Sequence, residues 1–288
     1  MNKIISLLKR KLINFLRIFN IEISIKKNLV KYNSYDAIHA FIAENYIKKD
    51  FFIIFDVGTN RGRSIDRFKR IVKNPIIHSF EPTPHLFEEL KKNYVGKNIF
   101  INQLAVSEKN ETKMLYSYKH DLMNSLFPVK SNSKFEKSRI LASNSTKDKF
   151  VEKLDVKSIT VDEYCKNNHI KEIDILRIDT QGYEDKVLQG AKEMLRNKKI
   201  NVIELELIIG IAFEKTLSFY DIEVILKDFG YKLISIQNAH NVIAYSNYQT
   251  NLIYVKENIY KNIEEMHLKN IDIPGVTRGV SKNHPYSY

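Results

Sequence analysis

The sequence predicts a doubly wound α/β domain, with a parallel sheet covered by helices on both faces. From residue 51 onward, short apolar runs alternate with amphipathic helical stretches, the signature of repeated βαβ units. At the ends of three such runs stand acidic residues followed by turn residues, Asp56-Val57-Gly58, Glu81-Pro82 and Asp179-Thr180-Gln181-Gly182. Ligands of open α/β sheets bind at that edge. The 288 residues, 43% of them hydrophobic, suit one domain of about 200–250 residues with short extensions.

Taken in order, Phe51 to Val57 is a continuous apolar strand, and Arg61 to Val72 reads as a helix stopped by Pro75. Ile76 to Phe80 is the second strand. Pro84 to Tyr94 is a helix with proline in its first turn, where the missing N–H costs nothing. Ile99 to Val106 is the third strand. Lys113 to Tyr118 is one strand inside an otherwise irregular stretch, 107–150, whose polar run from Lys130 to Lys149 is expected to act as a lid or substrate insertion. Regularity returns with a strand at Ser158 to Val161, a helix at Asp162 to Asn168, a buried strand at Ile173 to Ile178 and a helix at Tyr183 to Arg196. Ile200 to Leu207 is a strand, Phe219 to Phe229 a helix closed by Gly230, and Tyr231 to Ile236 and Asn251 to Val255 the last strands. Residues 259–288 read as an appendage with a Pro274-Gly275 turn. There is no internal repeat.

Residues 1–34 form a separate basic segment. Residues 1–31 hold eight Lys or Arg against one acid, so +7 of the chain's +12 lies there. Ile4, Leu8, Leu12, Phe15, Leu16 and Phe19 share one helical face, opposite Lys3, Lys9, Arg10, Asn14 and Arg17. Such an amphipathic helix can lie on an anionic membrane, or pack on the domain or on a second subunit as a homo-oligomer contact. The apolar run is too interrupted by charge for a secretory signal, and no span of 18 apolar residues occurs. The expected location is the cytoplasm, with peripheral attachment at the inner face of the membrane. Because the excess charge is concentrated in one segment, no nucleic-acid partner is expected. The single cysteine, Cys165, excludes an internal disulfide and reads as a buried structural thiol.

The chemistry-bearing positions follow from the strand ends. In Asp56-Val57-Gly58-Thr59-Asn60-Arg61-Gly62, Gly58 permits a sharp turn, Asn60 tolerates a left-handed backbone, and Gly62 allows close entry into the helix. The spacing lacks the second glycine of the dinucleotide fingerprint, and an acid beside the turn suits a cationic ligand better than a diphosphate. Asp56 is positioned to hold an amino group. Glu81, 19 residues after Gly62, can take both hydroxyls of a ribose. Asp179 ends the central strand. Glu184 is either a helix N-terminal acid or a site residue.

As a set, these motifs resemble the FkbM-type methyltransferases. So do Leu104-Ala105-Val106-Ser107, Val187-Leu188-Gln189-Gly190-Ala191 and Val202-Ile203-Glu204-Leu205-Glu206. The similarity covers about residues 50–257. It implies a seven-stranded, mostly parallel, Rossmann-like class I methyltransferase domain over residues 35–258 and S-adenosyl-L-methionine as cofactor. It also implies methyl transfer to a hydroxyl, commonly of a sugar or polyketide; with the basic amphipathic segment, the expected acceptor is a sugar of a surface or lipid-linked glycan, or another small hydroxyl-bearing molecule. Under this resemblance Asp56, Gly58, Asn60 and Gly62 line the methionine end, Glu81 the ribose, Ala105 and Val106 the adenine, and Asp179 the reaction centre, as catalytic base. Gln181 departs from the glutamate common at its position.

His120 and Asp121 in the insertion, with Glu184 and Glu206, are candidate acceptor contacts. The eight histidines show no metal-ligand spacing, and His78 reads as a core residue. Asp179 with Glu204 or Glu206 is a carboxylate set that a divalent ion could use, but no metal is expected. Two rival readings stand beside the glycan enzyme. One is a nucleic-acid methyltransferase, marked by steep salt dependence of binding. The other is a non-catalytic nucleotide-binding or interaction module of the same fold, which would tolerate loss of Asp179.

Overall fold

The computed structural model describes residues 34–269 apart from 95, 97, 134–136, 138–151, 210–211, 216 and 244–245. The amphipathic helix read over residues 3–19, most of the polar run and the Pro274-Gly275 turn lie outside the described residues. Among these residues no helix is long and apolar enough to cross a membrane.

The described residues begin with α1 (Ser34–Ile42) and a π-helical turn (Ala43–Ile47), then enter β1 (Phe52–Val57) and α2 (Arg63–Ile71). β2 (Pro75–Phe80), α3 (Pro84–Asn93), β3 (Ile99–Asn102), β4 (Ala105–Val106) and β5 (Thr112–Ser117) follow. Next come β6 (Glu152–Ile159), α4 (Val161–Asn167), β7 (Ile173–Ile178), α5 (Glu184–Gln189) and α6 (Lys192–Arg196). The described residues close with β8 (Ile200–Ile208), α7 (Phe219–Asp228), β9 (Tyr231–Ile243), β10 (Ser246–Lys256) and α8 (Glu257–Lys269).

Seven strands make the main sheet in the order β3-β2-β1-β7-β8-β10-β9, with β10 antiparallel to both its neighbours. The continuous apolar runs form its centre, because strands covered on both faces need apolar residues at every position. On one face Ile54, Ile175, Val202 and Ile253 pack with α1, α2 and Ile259 of α8. On the other, Phe55, Leu176, Ile203 and Leu252 pack with α4, α5, α6 and α7. Register places Asp56 beside Arg177 and Arg177 beside Glu204, one polar row on the α1–α2 face, two residues beyond the Ile54–Ile175–Val202 row.

Several elements differ from the sequence reading. The expected third strand divides. β3 stays in the main sheet, whereas β4 pairs with β6, which joins β5 in a second, three-stranded sheet. Asn102 turns its side-chain amide back onto the carbonyls of Ser79 and Phe100 at this departure. The expected helix over 183–196 breaks at Gly190, where a Cβ would lie 2.0 Å from the Ser107 carbonyl oxygen. The new N-terminus of α6 is capped by the Asp162 carboxylate, which accepts from the N–H groups of Glu193 and Met194. Finally, α8 buries Ile259 against the core, so the boundary drawn at 258 falls inside a helix of the domain.

α1 is bound to the sheet by buried charge. Arg67 on α2 makes a two-pronged contact with Glu204 at 2.9 and 2.6 Å, and His39 Nε2 lies 2.8 Å from the same carboxylate. Burial would raise the Glu204 carboxyl, but Arg67 and His39 hold it well below the usual range.

His78 sits in the core, stacked on Phe100 with centroids 4.8 Å apart and its Nδ1 3.0 Å from the Tyr164 hydroxyl. Burial pushes it down to about 4. A depressed histidine contributes stability that is complete above about pH 6.5 and is lost as pH falls toward 4. Between pH 7 and 4.5 this group alone should cost about 2–3 kcal/mol. Urea unfolding of the wild type and of His78→Phe at both pH values checks this: the variant should lose less stability on acidification by that amount.

Candidate functional site

A cleft of about 640 Å³ opens at the carboxyl edge of β1, β2 and β7. Its walls combine an apolar slot (Val57, Phe80, Leu104, Ala105, Val106, Leu115) with a few convergent polar groups (Asn60, Glu81, Asp179, Gln181). That mixture is typical of small-molecule sites.

On the β2 side, Glu81 is buried, and its two oxygens are oriented by the backbone. Oε2 accepts from the Asn60 N–H at 2.8 Å and Oε1 from the Thr83 N–H at 2.9 Å. Burial raises its pKa, against the pull of these hydrogen bonds. Asn60 can turn toward it because it adopts φ +50°. The next residue, Arg61, pairs with Asp121 at 2.6 Å and Glu89 at 2.7 Å, and Asp121 also meets His85 at 3.0 Å. The segment that carries Asp121 crosses the mouth of the cleft. Ser125 exchanges backbone hydrogen bonds with Tyr116 and donates its hydroxyl to the Gln181 carbonyl, and the Lys130 N–H reaches the Ala212 carbonyl. Part of the expected insertion is therefore an ordered strap. Tyr118, Met123 and Val129 anchor it on Ile208, Ala212 and Phe213.

On the β7 side the central feature is Arg177. One guanidinium nitrogen donates to Asp56 Oδ1 at 2.9 Å, and the other pairs with Asp179 Oδ2. Asp56 is fully buried, and its second oxygen accepts from the Ser64 hydroxyl at 2.5 Å. The two strand ends touch directly here. Gly58 has φ +82°, and a Cβ on it would lie 1.9 Å from the Asp179 carbonyl oxygen.

Beyond Asp179, the Gln181 amide donates to Asp179 Oδ1 at 2.8 Å and to Glu206 Oε2 at 2.7 Å. Gln249 donates to Glu206 Oε1 at 2.9 Å. Burial first, then the negative charges of Asp179 and Glu184, hold the Glu206 carboxyl well above its usual range. Glu184 accepts from the backbone of Thr180 and Gly182 and from the Thr180 hydroxyl, which is a capping arrangement. Burial pushes it up to about 7, with Asp179 adding to the rise.

Of the sequence candidates, Gly58, Asn60, Glu81, Ala105, Val106, Asp121 and Asp179 come together around the cleft. Five others stand elsewhere. Asp56 lies beneath it, fully buried and bonded to Arg177 and Ser64, and does not line the cleft where an amino group would sit. Gly62 caps α2 against the Tyr94 ring. His120 precedes the 3-10 turn of the strap, and Glu184 caps the loop before α5. Glu206 stands behind Gln181. Glu204 is committed to Arg67 and His39, and no metal-holding cluster occurs among the described residues. Sequence reading missed Arg177, Gln181 as a bridge, and Tyr183, whose hydroxyl donates to Glu108. A lone arginine two residues before a strand-end acid, hence on the same face, was the available signal for the first.

Residues 56–233 match the family model described as the methyltransferase FkbM domain. No curated protein matches the chain. Solved structures similar to it include precorrin-6y C5,15-methyltransferase from Geobacter metallireducens, at 11% identity and TM-score 0.39 over 81% of this chain and 93% of that one. Magnesium protoporphyrin IX methyltransferase from Synechocystis, with bound S-adenosylmethionine, aligns at 11% identity and TM-score 0.41 over 77% of each chain.

Replacing Arg177 by Met should strand two carboxylates, one of them fully buried, and cost about 3–5 kcal/mol. Adding Asp56→Asn should recover part of that loss. Urea denaturation of the single and double variants measures both effects.

Proposed function

The chain belongs to the FkbM family of S-adenosylmethionine-dependent methyltransferases, and from that premise we propose that it methylates a hydroxyl oxygen on a sugar or similar polyol. The observation that carries this reading is the pairing, across one cleft, of a backbone-oriented carboxylate, Glu81, with a second polar wall formed by Asp179 and Gln181. The cofactor supplies an activated methyl group, so the protein's task is largely one of positioning.

The residues present suit that cofactor. The Glu81 carboxylate accepts from the Asn60 and Thr83 N–H groups and from the Thr83 side chain, which leaves it acceptor capacity for a ribose hydroxyl. Ala105, Val106 and Leu115 give an apolar slot for a purine. Gln181 Oε1 is buried without a hydrogen-bond partner, so it calls for a donor such as the ammonium group of the cofactor's amino-acid end. Asp179 stands where an acceptor hydroxyl would need a base, and the neighbouring amides and carboxyls offer the donors and acceptors a polyol requires. Asn60 and Asp121 close the opposite side.

A lipid-linked acceptor at an anionic membrane is supported by the direction of α1. Its first turn carries Asp36, which pairs with Arg67 at the level of Glu204. The chain then descends to Lys49, which binds Asp174 near the start of β7. α1 thus runs antiparallel to the strands, and its first residue, Ser34, stands toward the carboxyl edge of the sheet. At that same edge, after β8 and at the start of α7, Ile209 and Tyr220 are exposed at 52% and 72%. Liposome co-sedimentation should show binding to vesicles with anionic lipid that salt reverses and deletion of residues 1–31 abolishes; failure to pellet at low salt overturns the membrane reading.

Glu81→Gln keeps the shape but removes one acceptor and the charge. Affinity for S-adenosylhomocysteine, measured by calorimetry, should fall about 10–100-fold. Unchanged affinity would remove Glu81 from the cofactor site.

A further inference from the structure

Four carboxylates crowd the β7–β8 strand ends, and the cations are unequally shared. Glu204 has His39 and Arg67, the latter shared with Asp36 on α1. Asp56 and Asp179 share Arg177. Glu206, 7% exposed, makes no ion pair among the described residues; its oxygens accept from the neutral amides of Gln181 and Gln249, and its carboxyl also meets that of Asp179. The groups facing it are Arg177 and Asp179 from β7, Gln181 from the following loop, Glu184 from α5 and Gln249 from β10. One Gln181 nitrogen lies 2.8 Å from Asp179 Oδ1 and 2.7 Å from Glu206 Oε2, which fixes the two carboxyls as a pair beneath it.

We propose that Asp179 and Glu206 hold one proton between them in the free enzyme and release it to solvent when cationic S-adenosylmethionine is bound. This rests on the reading of the cleft as the methyl-transfer site. A buried carboxyl without a cation keeps its proton, because the charged form is costly to desolvate. Two carboxyls close together behave the same way, since like charges cannot both ionise cheaply. A positive charge held in the cleft reverses that balance: the O–H bond of the pair breaks, the proton passes to buffer, and the pair becomes dianionic. It is then free to take up the proton that an acceptor hydroxyl gives up. The charge that discharges the pair is the sulfonium of S-adenosylmethionine; S-adenosylhomocysteine brings the same ammonium group but a neutral sulfur, and leaves the pair protonated. In this scheme Asp179 touches the ligand, and Glu206 is a positioning residue that sets when Asp179 can accept a proton.

The test is isothermal titration calorimetry on the full-length protein at pH 7, in buffers of different ionisation enthalpy, with S-adenosylmethionine and S-adenosylhomocysteine as probes. The expected result is that the methylated ligand releases close to one proton more than the demethylated one. Glu206→Gln should abolish that difference while leaving affinity for S-adenosylhomocysteine within a few-fold. As a check that needs no variant, an infrared difference spectrum of the wild type should show a protonated-carboxyl band lost on addition of S-adenosylmethionine and retained with S-adenosylhomocysteine. Equal proton release by the two ligands, or a difference that survives Glu206→Gln, overturns the shared proton alone. Absence of binding by either ligand overturns the reading of the cleft as well.

Discussion

Two carboxylates at neighbouring strand ends must be neutralised inside the protein, and a single guanidinium does it. Asp56 closes β1 and Asp179 follows β7; Arg177 stands between them and reaches both. A planar fork with several donors suits such a bridge, where a lysine ammonium would serve as one point charge. The contact locks the two strand ends whose backbones already touch at Gly58 and Asp179. The cleft is therefore built on a rigid seam of the sheet rather than on mobile loops, which keeps its polar groups in one geometry.

The same parity that places Arg177 extends across the sheet. Every second residue of β1, β7 and β8 faces α1 and α2, and near the carboxyl edge those positions change from isoleucine and valine to Asp56, Arg177, Glu204 and Glu206. The opposite face stays apolar to the strand ends, with Val57, Ile178 and Leu205 in its core. Near the carboxyl edge charge thus lies on one face, running from Asp36 on α1 to Glu206 on β8. Among the described residues the cations paired along it, Arg67 and Arg177, stand on the α1 side of Glu206.

The strap over the cleft is held by two kinds of contact. Its apolar residues, Met123 and Val129 among them, bury against Phe213 and Ile208. Its polar latch consists of Arg61, His85 and Asp121, with Arg61 and His85 more than half exposed. Exposed ion pairs of this kind contribute only about 0–1 kcal/mol. The latch end can yield to a ligand at small cost while the apolar anchor keeps the strap attached.

By themselves, the residues determined the class of fold, the core strands and the edge of the sheet where chemistry would occur. Continuous apolar runs and amphipathic helices are local patterns, and Asp56-Val57-Gly58, Glu81-Pro82 and Asp179-Thr180-Gln181-Gly182 mark their own strand ends. Local pattern could not say where those side chains point relative to one another. Asp56 and Asp179 looked alike in sequence, yet one is buried beneath the cleft and the other lines it. The division of the third strand into β3 and β4 depends on pairing with β6, some 50 residues away. The break at Gly190 depends on the approach of Ser107. Which acid receives a cation was decided only when strands and helices distant in the chain packed together, because charge compensation in a buried site is a property of spatial neighbours and not of sequence neighbours.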